Sequence, residues 1–235
     1  IHESNQIRPA SIKLTRDRLV ENSGTVDFTT DLLRMHAHAI VVGAPAIPLL
    51  VLIVASAAML IGVGYNAFVW AAISATAYTT LGLVAKKLDN LEPENVEPLV
   101  WSKRLLAAHA LTGLAWAYFA QLECSTCGIE QINVIQAVVI VLAMAATAIV
   151  SAALRGAVLA AFTLPVASYT VFSARMNDPV QLTMVVVLIA GLAFFAVVSS
   201  YLNSSARSAL AFQSEKDSLI AALDTAKSFS DEARR

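Results

Sequence analysis

Charged residues are scarce in this sequence. Only 14% of its 235 residues are Asp, Glu, Lys or Arg, whereas an average soluble domain contains about 25%. Hydrophobic residues make up 57% of the chain, more than one water-soluble core of this size can hide, so part of the apolar surface must face lipid. The net charge of −1 provides no general basic surface for nucleic acid.

Catalytic signatures are missing as well. The patterns G-x-x-x-x-G-K-[ST], H-E-x-x-H and G-x-S-x-G do not occur, so the sequence assigns no catalytic residue. The first 36 residues have neither an apolar h-region nor a small-residue cleavage site and are therefore not a secretory signal peptide. Sustained period-two alternation is absent from the apolar stretches, which favours helices as the membrane-spanning elements.

Six uncharged stretches are each long enough to cross a membrane as a helix, which takes about 17–25 residues. They cover residues 39–61, 67–84, 105–122, 131–154, 156–174 and 179–203. Glycine and asparagine at 62–66 predict a turn between the first two, and Pro45, Pro48 and Pro165 predict kinks. The predicted fold class is therefore all-α, a polytopic membrane protein with six transmembrane helices.

Lysine and arginine determine the predicted orientation. Fifteen of the sixteen fall before the first span, in the second and fourth connections or after the sixth span, and only Arg175 falls in an odd-numbered connection. The positive-inside rule places the rich side in the cytoplasm. We therefore expect a protein of the bacterial inner membrane with both termini cytoplasmic and three short outer loops.

This topology divides the chain into three parts. Residues 1–36 form a cytoplasmic segment with a short interfacial helix at 28–36, capped by Asp27 or Thr29. Residues 37–204 form the six-helix domain, in which residues 85–104 are expected to be a solvated connector. Residues 205–235 are charged and free of proline, which predicts a helix that continues from the last span into the cytoplasm.

The chain has two cysteines, Cys124 and Cys127, in the second predicted outer loop on the oxidising side of the membrane. Their C-x-x-C spacing allows a local disulfide, and such bridges are often redox-active. A dimer could instead bring four thiolates to one zinc ion, since one chain supplies only two. A structural bridge and two free thiols without a signalling role are the remaining interpretations.

His38 and His109 lie near the cytoplasmic starts of the first and third spans, so we expect them at similar depth. Ionisable residues in a span are candidate functional groups, and two imidazoles can hold a haem or contact a quinone. The alternative is two neutral interfacial histidines bonded to backbone or headgroups. His36 and His38 face different sides of a helix and cannot chelate together. The sequence leaves the cofactor unknown.

Three regions of the chain resemble one protein family. They are Asp27-Phe-Thr-Thr-Asp-Leu-Leu-Arg-Met35 before the first span, Trp101-Ser-Lys-Arg-Leu-Leu106 with Gly113-Leu-Ala-Trp-Ala117 in the third, and Ser214-Glu-Lys-Asp-Ser-Leu-Ile220 through 230–235 after the sixth. These residues resemble the juxtamembrane segment, third span and signalling helix of a group of alphaproteobacterial sensor histidine kinases.

The resemblance implies that the chain is the membrane-embedded input region of such a kinase, cut off before the catalytic part. In that family the phosphorylated histidine and the ATP-binding domain follow the linker helix, so no catalytic residue is carried over to this chain. The resemblance also implies a homodimer, with ATP as the cofactor and a response regulator as the partner of the missing part. Two alternatives are the membrane anchor of a diguanylate cyclase and a small transporter or membrane-complex subunit.

Overall fold

A computed structural model describes residues 28–124, 129–174 and 178–232. The regular structure within these ranges is helical, which confirms the predicted all-α class. The helices are α1 (Thr29–Gly43), α2 (Ala46–Ile61), α3 (Asn66–Asp89), α4 (Pro98–Phe119), α5 (Ile129–Val150), α6 (Ala157–Ala174) and α7 (Pro179–Glu232), with a 3-10 turn at Pro93–Asn95.

Four of these helices, α3, α5, α6 and α7, are long and apolar enough to cross a membrane. Helices α1 and α2 together make a fifth candidate span, bent by 54°. The chain is therefore a polytopic membrane protein with four or five candidate spans, whereas six were predicted. The difference lies in α4, which contains Lys103, Arg104 and His109 and is not among the candidate spans.

The polarity of α4 has a structural reason. It packs against α3 on one side and α6 on the other, and it also touches α1. Its buried residues include Leu105, His109, Trp116 and Phe119, so much of its surface faces protein. A helix enclosed by other helices needs less hydrophobicity than one that lipid surrounds.

The first span differs most from its prediction. The predicted interfacial helix does not end at His36, because α1 continues to Gly43 and buries one side in the bundle. Phe28 occupies the N-cap position and Thr29 is the first helical residue, while Asp27 lies outside the described residues. The predicted kink is confirmed, because Pro45 lies in the break between α1 and α2, as the N-cap residue of α2. The expected connector at 85–104 is also shorter, since α3 and α4 leave only residues 90–97 between them.

A close contact joins α4 to α6. Pro165 has no N–H to donate to the carbonyl four residues earlier, which belongs to Ala161. Gly113 faces this carbonyl so closely that a Cβ added to it would lie 2.6 Å from the oxygen. The missing side chain of Gly113 thus leaves room for the carbonyl that Pro165 cannot bond, and the two backbones can approach each other.

Exposed polar groups on the membrane helices are satisfied locally. The hydroxyls of Thr76, Thr79 and Thr80 on α3 donate to the carbonyls four residues earlier, at 2.8, 2.6 and 2.9 Å. Thr163 on α6 and Thr183 on α7 do the same. Because these bonds stay within one helix, the threonines can face lipid without leaving a donor unpaired.

The cationic side chains of the described residues collect at one end of the bundle. They occupy the start of α1, the end of α3, the start of α4, the turn between α5 and α6, and α7 beyond its contact with that turn. These residues are Arg34, Lys86, Lys87, Lys103, Arg104, Arg155, Arg207, Lys216 and Lys227. At the opposite end the described residues include Glu123 and Asp178 but no lysine or arginine.

Candidate functional site

Two histidines meet inside the bundle. The Nε2 atoms of His36 on α1 and His109 on α4 lie 3.2 Å apart, and both side chains are buried. At this distance one nitrogen donates a hydrogen bond and the other accepts it. The two axial ligands of one haem iron stand about 4 Å apart, twice a metal–imidazole bond of about 2.0 Å. The observed contact therefore joins the two rings directly and leaves no porphyrin between them.

His38, which the sequence paired with His109, lies elsewhere. Its side chain is 69% exposed, and its Nδ1 is 3.7 Å from a carboxylate oxygen of Asp89 at the end of α3. The prediction that His36 and His38 face different sides of one helix is confirmed, but it is His36 that reaches the interior. The residues described include no group of three or more His, Cys, Asp or Glu side chains that could hold a metal ion.

A cavity of about 450 Å³ lies next to the histidine pair. It forms where the bend between α1 and α2 faces α3, α4 and α5. Its walls are mostly Ala, Val, Ile and Leu, and the polar or aromatic side chains among them are Trp70, Tyr78, His109, Thr112, Trp116, Thr147 and Ser151. An apolar cavity of this size with a few polar groups has the character of a small-molecule site.

The cavity reaches the side of the bundle between α2 and α5. Ala46 and Leu50 on α2 line it and are exposed on the outer surface, and so are Ala146 and Val150 on α5. Because these exposed residues face lipid in a membrane protein, a molecule could enter the cavity from the hydrocarbon region without first crossing water.

Two polar side chains at the cavity wall have no hydrogen-bond partner within the protein. These are the indole N–H of Trp70 and the hydroxyl of Ser151, and both residues are fully buried. A buried donor without a partner costs about 1–3 kcal/mol. A water or another small molecule in the bundle would supply the missing partner of such a group.

The other polar groups of the wall bond to each other or to backbone. The indole N–H of Trp116 donates to the hydroxyl of Tyr78 at 2.9 Å, which ties α4 to α3. The hydroxyl of Thr112 donates to the carbonyl of His109 at 2.7 Å. The rings of Trp70, Trp116 and Phe119 pack with centroids 4.8–5.6 Å apart, so one end of the cavity has an aromatic wall.

The other end of the cavity is connected to α7. Ser151 begins the turn after α5, and the carbonyls of the next two residues, Ala152 and Ala153, accept hydrogen bonds of 3.1 and 2.9 Å from the side-chain amide of Asn203. The side-chain oxygen of Asn203 accepts in turn from Arg207 at 3.2 Å. This chain of contacts joins the wall of the cavity to the helix that leaves the bundle.

Cys124 lies at the opposite end of the molecule from the cationic side chains. It is disulfide-bonded rather than a free thiol, and its sulfur is 3.6 Å from the carbonyl oxygen of Ile61 at the end of α2. The other cysteine of the sequence, Cys127, lies outside the described residues. The site in the bundle is therefore separate from Cys124.

Sequence reasoning identified only part of this site. It selected His109 but paired it with His38, and it assigned no role in a site to Trp70 or Trp116. It did not identify Ser151, Tyr78 or the role of His36 as the partner of His109. Helical spacing contained one usable signal, because His36 lies four residues after Leu32 and four before Ile40, on the side of α1 that is buried.

Comparison with known proteins returned no matching family model, no matching curated protein and no matching solved structure.

Proposed function

We propose that this chain is the input domain of a sensor histidine kinase, which responds to a molecule or a physical change within the membrane and passes the response through α7. The observation that carries the proposal is the continuity of α7. It runs without a break for 54 residues, from Pro179 at one end of the bundle to Glu232 well outside it. The helix is unbroken at residue 205, where the sequence predicted that the linker begins.

The length of α7 supports a connection between the membrane and the cytoplasm. At 1.5 Å per residue a helix of this size is about 81 Å long, whereas the hydrocarbon core is about 30 Å thick. The first part is apolar and packs on α5 and α6. The last part is charged and exposed, so it belongs in water. A helix of this kind can carry a rotation or a shift from the lipid phase to a cytoplasmic domain.

The cationic end of the bundle supports the orientation that this function needs. If the positive-inside rule applies, that end and the charged part of α7 lie in the cytoplasm of the cell and the bundle lies in the inner membrane. The response regulator and ATP would then be available to a kinase module placed after α7. We also expect a homodimer, since kinases of this kind phosphorylate as dimers in the family that the sequence resembles.

The mechanism we propose is a two-state bundle. A stimulus can shift the bundle only if it interacts differently with the two arrangements. The cavity is the place where such a difference can arise, because Ser151 on its wall is adjacent to the two carbonyls that hold Asn203 of α7. A change in the position of this turn would change the position of α7, and the helix would transmit it.

Insertions into α7 test this mechanism in the full-length protein. Two residues inserted after Ser214 rotate the following helix by about 200°, whereas seven residues rotate it by about 700°, which is within about 20° of the original direction. We expect the two-residue insertion to lock autophosphorylation on or off and the seven-residue insertion to keep it regulated. Equal regulation in both variants would exclude α7 as a rigid conduit.

The complete reading frame distinguishes this proposal from its rivals. A histidine-containing dimerisation helix after Arg235 supports a kinase, and a cyclase domain in that place would make the same bundle the anchor of a diguanylate cyclase. A gene that ends close to Arg235 would instead favour a transporter or complex subunit and would overturn the proposal.

A further inference from the structure

A groove lies on the outside of the bundle, between the bent first span and α3. Its volume is about 330 Å³, and it is distinct from the cavity described above, although the two have Ile40, Ile47 and Tyr78 in common. The bend between α1 and α2 forms one wall of the groove, and the second half of α3 forms the other. The groove opens sideways to lipid, because its lining includes the exposed residues Pro45, Pro48, Thr79, Leu83 and Lys86.

Most of the groove is apolar. Its hydroxyl groups are already bonded, because Thr79 donates to the carbonyl of Ala75 at 2.6 Å and Tyr78 accepts from the indole N–H of Trp116 at 2.9 Å. Small residues, Ala75 and Gly82 among them, leave room on the α3 side. A hydrocarbon chain therefore fits this groove better than a polar molecule does.

The length of the groove matches one leaflet of a bilayer. Its lining residues on α3 run from Ala75 to Lys86, which are eleven residues apart and therefore about 16 Å apart along the helix. Half of a hydrocarbon core about 30 Å thick is about 15 Å. Lys86 lies in the last turn of α3, which ends at Asp89, so the groove begins at the cationic end of the bundle and ends near the middle of the bilayer.

Lys86 gives this end of the groove its charge. It is the one charged side chain among the described residues that line the groove, and it is exposed. Lys86 makes no ion pair within the part of the chain that the structure describes, and the nearby carboxylate of Asp89 lies beside His38. An anionic headgroup above a bound acyl chain would supply a counter-ion to this ammonium group. A lipid without net charge would fill the groove but would leave the ammonium charge without a partner.

We infer that the groove between the α1–α2 bend and α3 is a specific site for an anionic phospholipid, in the leaflet at the cationic end of the bundle. The phosphate of the lipid pairs with Lys86, and one acyl chain lies along α3 as far as Ala75. The bound lipid also packs against Pro45 and Pro48 and so covers the break in the first span. The site is independent of the proposed input function, because it requires no domain outside the bundle.

Lipid binding can be counted directly by native mass spectrometry of the purified protein in detergent. The probe is palmitoyl-oleoyl phosphatidylglycerol, and phosphatidylcholine with the same acyl chains is the reference without net charge. We expect the first phosphatidylglycerol to bind about five-fold more tightly than the first phosphatidylcholine, which is the effect of one basic residue near a membrane surface. Equal affinities for the two lipids would overturn the inference.

Two lysine variants test the headgroup contact. Lys86→Gln should lower the affinity for phosphatidylglycerol by about five-fold and leave that for phosphatidylcholine unchanged. Lys87→Gln is the matched control, because Lys87 is the next residue of α3 and is also exposed but does not line the groove. Equal losses in the two variants would show that positive charge at this end attracts the lipid without a site, and the inference would be wrong.

Two phenylalanine variants test the position of the acyl chain. Gly82 lines the groove, and nothing lies within 4 Å of a Cβ added to it, so the protein can accept a larger side chain there. Gly82→Phe should fill part of the groove and weaken the binding of both lipids. Ala72→Phe adds the same bulk at an exposed position of α3 outside the groove and should leave both affinities unchanged. If the two variants bind phosphatidylglycerol equally well, the acyl chain does not lie in the groove and the inference fails.

Discussion

The contact between Gly113 and α6 makes a quantitative prediction about stability. In Gly113→Ala the new Cβ would lie 2.6 Å from the carbonyl oxygen of Ala161 and 3.2 Å from its carbon. Non-bonded carbon contacts are most favourable at about 3.5–4.0 Å. The two helices would therefore have to separate by about 0.9 Å, because the obstacle is backbone and cannot rotate away.

The cost of this separation can be compared with the gain in helix propensity. A gap of about 0.5–1 Å forfeits a quarter to a half of the dispersion attraction across an interface, and overpacking of this kind typically costs about 1–3 kcal/mol. Alanine in place of glycine inside a helix recovers about 0.5–1 kcal/mol. Gly82→Ala measures that gain alone, since Gly82 is helical and nothing lies within 4 Å of a Cβ added there.

The assay is equilibrium unfolding of the detergent-solubilised chain, followed by far-UV circular dichroism. We expect the free energy of unfolding of Gly113→Ala to be lower than that of Gly82→Ala by about 1–3 kcal/mol. If Gly113→Ala proves as stable as Gly82→Ala, the backbones of α4 and α6 are not in contact at this point and the packing described above is wrong.

Two further predictions concern hydrogen bonds that join helices. Asn203→Leu removes the side-chain amide that holds the turn after α5, so we expect the free energy of unfolding to fall by about 1–3 kcal/mol in the same assay. In the full-length protein we expect basal autophosphorylation that no longer responds to the stimulus. A variant that stays regulated would contradict the proposed coupling. Tyr78→Phe leaves the indole N–H of Trp116 without its acceptor and should lower the free energy of unfolding by about 1–2 kcal/mol. Tyr118→Phe is the control, because Tyr118 makes no such hydrogen bond, and it should change stability little. Equal losses in the two variants would contradict the role of the Tyr78 hydroxyl.

The spans of this protein follow from its sequence with one exception. Residues 131–154 and 156–174 were predicted as spans, and α5 and α6 occupy them closely. Residues 105–122 were predicted as a span as well, but α4 begins earlier and includes Lys103 and Arg104. Hydropathy measures how favourable lipid is as the surroundings of a segment, and α4 buries one side against α3 and α6, so its composition carries less of that signal.

The first span shows a second limit of sequence reasoning. Pro45 and Pro48 predicted a kink, and the structure has a break of 54° between α1 and α2. The sequence did not predict that this bend would create space against α3, α4 and α5. The volume of a cavity depends on where five separate helices stand, and no local pattern contains that information.

The sequence by itself determined the class of the protein, because the balance of apolar and charged residues requires lipid as a solvent and helices to satisfy the backbone there. It also determined which ends of the helices carry the positive charge and that the last helix continues past the membrane. Only the tertiary structure decided that His36 rather than His38 meets His109, and that residues of five helices line one cavity. The reason is that the partner of a side chain depends on how each helix is rotated about its axis and where it bends, and both are settled by packing among helices that are distant in the chain.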